Sequence, residues 1–207
     1  MAGSGGGRGK GVVVVTGFVV AGLVGYGWVW GGGGQPNETV EIGGETFLVP
    51  AGEGERLAEC TDEQVVEDRL CGGLDIVVVD AARMPFVARN IALAWREGHP
   101  SVLTRDADRT RAEERREAAC PAGGAVEEGG SCEAYPFPGT REGGARARTE
   151  TVPEREALCR DGTLTGGFQL QGIGDGERFR LVIRNPGDLA ERSWTGTDIA
   201  RDTDCGV

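Results

Sequence analysis

The sequence is poor in histidine, and this shortage excludes whole classes of functional site. His99 is the only histidine among the 207 residues, so HExxH zinc sites and other sites that need two imidazoles are excluded. A Ser-His-Asp triad would depend on this one side chain. It stands in a GHP turn after a predicted helix, where histidine more often interacts with the helix end than acts as a base.

The chain also lacks an excess of basic residues. Lys+Arg total 22 against 33 Asp+Glu, which gives a formal charge of −11, and Lys10 is the only lysine. A protein this acidic does not coat nucleic acid over its whole surface, although a local basic groove can still bind a phosphate backbone. Apolar residues make up 39% of the chain, which suffices for a folded core and excludes a simply disordered polypeptide.

A stretch without charged residues lies close to the N-terminus. Residues 11–30 read GVVVVTGFVVAGLVGYGWVW, and about twenty such residues span a bilayer core of roughly 30 Å. Arg8 and Lys10 precede this stretch, so we predict a cytoplasmic segment at 1–10, a transmembrane signal anchor at 11–30 and an extracellular remainder. A cleaved signal peptide is the alternative, although no A-x-A-type cleavage site follows. A buried core helix is disfavoured because five glycines would weaken it.

All six cysteines follow the predicted anchor, and their even number predicts three disulfides in an exported chain. They are Cys60, Cys71, Cys120, Cys132, Cys159 and Cys205. Six cysteines allow fifteen connectivities. Proximity in the sequence favours Cys60–Cys71 and Cys120–Cys132, which leaves Cys159–Cys205. Zinc binding is the alternative, and the absence of any CxxC pair disfavours it.

Beyond the anchor, the hydrophobic pattern predicts an α+β fold, a small sheet with packed helices. Residues 31–73 comprise a glycine-rich linker, a short hairpin over 39–50 and an acidic segment. The clearest strand is the apolar run 74–79, and the run 178–184 alternates between apolar and mostly arginine side chains. Helices are also predicted over 85–97, 106–119 and 153–159, and further strands over 101–104, 133–137 and 145–152.

Two glutamates and two groups of arginines are the candidates for chemistry. Glu133 on a predicted strand and Glu156 after Pro153 could supply the oxygen ligands that Mg²⁺ prefers, and ordinary surface glutamates are the alternative. Arginines that share a strand face could hold a phosphate backbone, and a solvated sheet face is the alternative. These arginines are Arg146 and Arg148 on one strand, and Arg178, Arg180 and Arg184 directed outward on another.

Two stretches of the chain resemble the NucA/NucB family of exported bacterial deoxyribonucleases. The first, residues 84–116, is similar to the family's helix, GH turn, short strand ending in threonine, and arginine-rich helix. The second, residues 131–168, contains SCEAYPF, an EGG turn and VPERE. These resemble the family's C-D-E-Y/W-P-F-A block, EGG turn and VPxxEN segment. The resemblance extends over about residues 76–183.

The resemblance implies a metal-dependent endonuclease that cleaves DNA with little sequence preference. It implies a nuclease domain over residues 74–207, with a fold related to the small ββα-metal nucleases but with an acidic residue where others use histidine. Glu133 would be the base that activates water, and Glu156 would hold a Mg²⁺ or Mn²⁺ ion. The residues expected to contact DNA are Arg146, Arg148, Arg178 and Arg180.

The chain departs from the family pattern at functional positions. Where the family has Asp-Glu before the aromatic residue and proline, this chain has Glu133 and Ala134, so one carboxylate moves out by a methylene and the other is lost. Where the family has asparagine after the VPxxE glutamate, this chain has Ala157. A misplacement of about 1 Å can reduce a rate on the order of a hundredfold. A second hypothesis is therefore an inactive pseudo-nuclease, retained as an exported binding or structural module.

Overall fold

The secondary structure mixes strands and helices along the chain. The computed structural model describes residues 36–121 and 127–205. The strands are β1 (Glu38–Ile42), β2 (Glu45–Val49), β3 (Leu70–Cys71), β4 (Leu74–Asp80), β5 (Val102–Thr104), β6 (Gly130–Tyr135), β7 (Arg148–Pro153) and β8 (Arg178–Arg184). The helices are α1 (Gly54–Ala58), α2 (Pro85–Arg96), α3 (Arg109–Ala119) and α4 (Glu154–Gln171), with short π and 3-10 turns at Glu63–Glu67 and Pro186–Asp188. The predicted α+β class is confirmed.

The larger sheet is built around β8. This strand pairs in parallel with β4, so that Asp75 lies opposite Phe179 and Asp80 lies opposite Arg184. On its other side, β8 pairs antiparallel with β5 at its start and with β2 at its end. The order along the sheet is β1-β2-β8-β4-β3.

Both faces of the larger sheet are covered, which explains why β4 is a nearly continuous apolar run. On one face, Val77 and Leu181 belong to a core that includes buried residues of α2 and α4. On the other face, Ile76 and Val182 belong to a second core with Leu57 of α1 and residues of the β1–β2 hairpin. The hairpin and α1 therefore cover a face of β8 that the sequence analysis left open to solvent.

The second sheet is the β6–β7 hairpin, which carries one of the candidate glutamates. Its antiparallel register places Glu133 of β6 opposite Glu150 of β7. Both α2 and α4 contact this hairpin, and α4 begins at Glu154, directly after β7. The fold thus sets one side of Glu133 against the helix that carries Glu156.

Most predicted elements are confirmed, and α4 differs most from its prediction. The pattern predicted a short helix over 153–159, but α4 continues to Gln171 in spite of three internal glycines. One of them, Gly167, lies against the sheet, where a Cβ atom would come within 3.4 Å of Val77 Cγ2. The helix therefore packs on β4 at this position, and such tertiary packing outweighs the low helix propensity of glycine.

The three predicted disulfides are all formed. They are Cys60–Cys71, Cys120–Cys132 and Cys159–Cys205. The third joins α4 to the C-terminal tail across a sequence separation of 46 residues. Because all six sulfurs are bonded in pairs, these cysteines are not zinc ligands.

The predicted membrane segment lies outside the residues that the structure describes. Within residues 36–121 and 127–205, no helix is both long and apolar enough to cross a bilayer. The predicted cytoplasmic segment 1–10 and signal anchor 11–30 lie outside these residues. They and the boundary at residue 74 stay predictions.

Tyr135 fixes the end of β6 against α2 and offers a test of this packing. Its buried hydroxyl donates to the Pro100 carbonyl at 2.7 Å and accepts from Trp95 Nε1 at 2.9 Å. In Tyr135→Phe the ring stays, but both partners lose their hydrogen bond inside the protein. We expect a loss of about 2 kcal/mol in the free energy of unfolding, measured by urea denaturation with the disulfides intact. A loss below about 0.5 kcal/mol would show that water replaces the hydroxyl.

Candidate functional site

Glu133 is completely buried between the hairpin and α4. Its side chain is 0% exposed, and its Oε2 lies 2.9 Å from Arg160 Nη2. The angles between these two groups are unsuitable for a hydrogen bond. Neither carboxylate oxygen accepts a hydrogen bond from the described residues. Burial raises the pKa of Glu133 to about 7, although Arg160 opposes the rise. Glu133 can therefore exchange a proton near neutral pH, as a general base must.

Arg160 is the site residue that the sequence analysis missed. Its side chain is only 12% exposed and reaches from buried Glu133 to exposed Asp161, whose Oδ1 lies 3.3 Å from Nη1. The guanidinium carbon also lies 5.7 Å from the centre of the Phe137 ring. The available signal was the spacing of four residues from Glu156, which places both side chains on one helix face. The predicted helix ends at residue 159, one residue before Arg160, so the prediction does not include this side chain.

Glu156 of α4 caps the N-terminus of α2, a helix that lies far from it in the sequence. Its Oε2 accepts hydrogen bonds from the backbone N–H groups of Phe86 and Val87, at 2.9 and 3.0 Å. Met84, at the cap position of α2, provides no side-chain acceptor, and Pro85 has no N–H. Burial raises the pKa of Glu156 to about 8, against the effect of the two backbone hydrogen bonds.

A polar network fixes the backbone beside Glu133. The buried Asn90 side chain donates to the Glu133 carbonyl at 3.2 Å and accepts from Arg148. Arg148 also donates to Glu150 at 3.2 Å, and Glu150 in turn accepts from Arg89. This network holds α2 against the hairpin at the position of Glu133.

The arginines predicted to contact DNA divide into exposed and engaged side chains. Arg146 and Arg178 are exposed, whereas Arg148 belongs to the polar network around Asn90. Arg180 is 6% exposed and lies 3.4 Å from Glu53 Oε2. The prediction that Arg180 points outward is therefore wrong, because the β1–β2 hairpin and α1 cover that face of β8. Arg184 is half-buried for the same reason.

The two glutamates fit a hard cation in the chemistry of their oxygens, which face arginines in the present structure: Glu133 Oε2 lies 2.9 Å from Arg160 Nη2, and Glu156 Oε1 lies 3.8 Å from Arg155 Nη2. Both oxygens of Glu133 and Oε1 of Glu156 are buried and accept no hydrogen bond within the described chain. Mg²⁺ is commonly held by one or two carboxylates together with water and substrate phosphates. In residues 36–121 and 127–205 no group of three or more His, Cys, Asp and Glu side chains is placed to hold a metal. A cation here would therefore depend on these two carboxylates, with water and substrate completing its shell.

The two divergent positions are filled by apolar packing. Ala134 is 3% and Ala157 is 7% exposed, so both methyl groups lie inside the protein at the positions where the resemblance implies polar side chains. His99 is placed as expected at the end of α2, where its backbone N–H donates to the Ala94 carbonyl at 3.0 Å.

Comparison with known families finds a match that covers the candidate site. The family model described as Deoxyribonuclease NucA/NucB matches residues 91–182, a segment that contains the β6–β7 hairpin, α4, both glutamates and Arg160. No curated protein matches the chain. Residues 91–182 are thus similar to the NucA/NucB deoxyribonuclease family.

Proposed function

We propose that the chain is a deoxyribonuclease that hydrolyses phosphodiester bonds of DNA with a divalent cation and little sequence preference. The observation that carries this proposal is Glu133, a buried carboxyl group in the family-matched segment whose pKa is raised to about 7. Perturbed carboxyl groups of this kind concentrate at catalytic sites. The direct succession of β6, β7 and α4 supports the finer proposal of a ββα-metal nuclease arrangement.

In the proposed mechanism, Glu133 is the general base. Its carboxylate takes the proton from the water that attacks phosphorus, and a pKa near the working pH suits that transfer. Glu156 keeps α2 in place with Oε2 and offers Oε1 to the cation together with Glu133. A Mg²⁺ or Mn²⁺ ion, when bound, would stabilise the charge that develops on the phosphate and the leaving oxygen.

The proposed DNA contacts are the exposed arginines Arg146 and Arg178. Arginine side chains bind phosphate oxygens through charge-assisted hydrogen bonds. The formal charge of −11 opposes approach of DNA elsewhere on the surface. Arg148 and Arg180 are held in ion pairs within the fold, so we assign them a supporting role.

We propose further that the domain works outside a bacterial cell. Three disulfides support export, because they persist in oxidising compartments. The charge-free run at 11–30 supports a membrane anchor that leaves the nuclease domain extracellular, and secretion after signal cleavage is the alternative.

An inactive pseudo-nuclease is the second candidate, favoured by a specific observation. Ala134 and Ala157 pack into the interior at positions where the family has functional groups. In addition, Glu133 is paired with Arg160 and fully excluded from solvent. On this hypothesis the fold serves as an exported binding or structural module.

Plasmid cleavage by the purified, oxidised full chain distinguishes the two candidates. We expect nicking with Mg²⁺ or Mn²⁺, assayed separately alongside Ca²⁺, and its loss in EDTA. Glu133→Gln should reduce the rate by about a hundredfold or more, whereas Glu128→Gln, at an exposed position, should not change it.

Each other outcome of this assay has a defined meaning. Activity that survives Glu133→Gln would remove the assigned base. No cleavage by folded wild-type protein would favour the pseudo-nuclease. The combined Ala134→Glu and Ala157→Asn variant would then show whether the two alanines explain the loss, because it restores both polar groups.

A further inference from the structure

A groove of about 280 Å³ lies along the outer edge of β4, and neither Glu133 nor Glu156 lines it. Its walls are β4 and the glycine-containing stretch of α4, and they include Arg69 and Leu170. This volume is just below the range of about 300–1,000 Å³ that is typical of complete small-molecule sites. The groove therefore suits one or two side chains of a longer ligand.

The edge of β4 that borders the groove pairs with no strand beyond Asp75, although Gln171 Nε2 of α4 donates to the Ile76 carbonyl at 3.1 Å. On that side, β3 pairs only with Leu74 and Asp75. The Ile76 N–H bonds the Arg69 carbonyl on this side, whereas the Ala81 N–H bonds β8. Because backbone directions alternate along a strand, the N–H and C=O of Val78 face the groove. An exposed strand edge of this kind is a template for another strand.

Arg69 supplies a guanidinium at this edge that forms no direct ion pair with the described residues, although Glu45 lies near enough to interact with its charge. Its Nη1 is buried and donates no hydrogen bond to the described residues, and the same is true of Nε of the neighbouring Arg184. Arg184 is nevertheless neutralised by Glu45 at 3.1 Å and Asp80 at 2.8 Å. Arg69 also has a left-handed backbone, with φ of 55°, a conformation that is uncommon outside glycine and asparagine and is often found at functional sites.

An apolar side chain completes the groove. Leu170 of α4 is 90% exposed and lines the same cavity as Val78 and Arg69. An exposed leucine alone would need no explanation. Beside the unpaired main chain of Val78 and a guanidinium without a direct ion pair, it adds the apolar contact that a bound strand would cover.

We propose that this groove binds an extended peptide segment in which an Asp or Glu is flanked by apolar residues. The peptide main chain pairs with β4 at Val78, its carboxylate accepts hydrogen bonds from Arg69 and Arg184, and an apolar side chain covers Leu170. This is recognition by strand addition. A nucleic acid fits less well, because Arg83 and Arg184 are already in ion pairs. Arg69 alone among these arginines has no direct ion pair within the described residues, and one such guanidinium matches one carboxylate.

The test uses a panel of fluorescein-labelled six-residue peptides in which Val and Thr alternate around one variable position. Glu, Gln or Lys occupies that position in turn, and it is moved through all six places so that every register is sampled. We expect at least one Glu peptide to bind the full chain about tenfold more tightly than its Gln counterpart, measured by fluorescence polarisation. N-methylation of the peptide backbone should weaken that binding about tenfold, because it removes donors to β4.

Variants of the protein connect the binding to this groove. Arg69→Gln should abolish the preference for Glu, whereas the matched charge change Arg192→Gln, at an exposed position, should preserve it. Leu170→Glu is the second variant, because an exposed position tolerates the substitution without loss of the fold. It should weaken the binding of the Glu peptide about fivefold, because the two carboxylates repel each other.

Three results would overturn the proposal. They are the absence of any register that prefers Glu, a preference that survives both Arg69→Gln and Leu170→Glu, and equal binding of the N-methylated peptide. If a single-stranded oligonucleotide displaces the peptide from the wild-type chain but not from Arg69→Gln, the occupant of the groove is a nucleic acid and not a peptide. The proposal does not depend on nuclease activity.

Discussion

Glu133→Gln is expected to stabilise the metal-free protein at pH 8 by about 3 kcal/mol, while it changes the stability at pH 5 by less than about 1 kcal/mol. Burial raises the pKa of Glu133 from its ordinary value of 4.5 to about 7 in the folded protein. One pKa unit corresponds to about 1.36 kcal/mol of difference between the two protonation states.

The sign follows from which state binds the proton more tightly. Because the folded protein has the higher pKa at Glu133, it holds this proton over a range of pH in which the unfolded chain has released it. The resulting stability is fully present below pH 4.5 and is lost as the pH rises through about 7. Glutamine is neutral at every pH, so the variant does not suffer this loss.

Urea denaturation in EDTA at pH 5 and pH 8, with the disulfides intact, measures the effect. For a chain of this size, 3 kcal/mol corresponds to a rise of roughly 6–12 °C in Tm. Glu128→Gln is the matched control, and because it lies at the surface it should change the stability by less than about 0.5 kcal/mol at both pH values. Equal or lower stability of Glu133→Gln at pH 8 would show that the ion pair with Arg160 outweighs burial.

A variant that gains stability and loses cleavage would identify Glu133 as a functional residue. A carboxylate kept inside the protein at a cost to stability is typical of sites where function outweighs folding. A residue with only a structural role would not combine a stability gain with a loss of catalysis.

Local periodicity was sufficient to predict the central strands and helix. The apolar run at 74–79 and the alternation at 178–184 correspond to β4 and β8, and the pattern at 85–97 corresponds to α2. The exposure of Arg180 could not be read in the same way, because it depends on α1 and the β1–β2 hairpin. These elements precede β8 by more than a hundred residues, and no local pattern shows which face they cover.

The candidate site shows the same division between local and tertiary information. The motif residues Glu133 and Glu156 were identified from the sequence, but their partners were not. The contact between Glu133 and Arg160 requires that α4 continue past residue 159 and pack on β6. The role of Glu156 at α2 could have been suspected, because Met84 and Pro85 leave the start of that helix without a side-chain cap, yet the sequence did not show which residue supplies the acceptor.

Glu156→Ala is expected to reduce the free energy of unfolding by about 3 kcal/mol, because it leaves two buried backbone N–H groups without an acceptor. Those groups belong to Phe86 and Val87, in the first turn of a helix whose cap residue does not replace the lost oxygen. The loss should appear as a lower urea midpoint at pH 7, with the disulfides intact. An exposed glutamate of the same helix, Glu154, provides the control, and Glu154→Ala should cost less than about 0.5 kcal/mol.

Glu156→Gln separates the structural role of this side chain from a role in catalysis. The amide oxygen of glutamine can accept the same two hydrogen bonds, so we expect the variant to remain within about 1 kcal/mol of the wild type. Its amide is a poorer ligand for a divalent cation than a carboxylate, because it carries no charge. If Glu156 also holds the cation, Glu156→Gln will fold normally and yet fail to cleave plasmid DNA. If Glu156 only caps α2, cleavage will follow stability instead, and it will be retained in Glu156→Gln and lost only in Glu156→Ala.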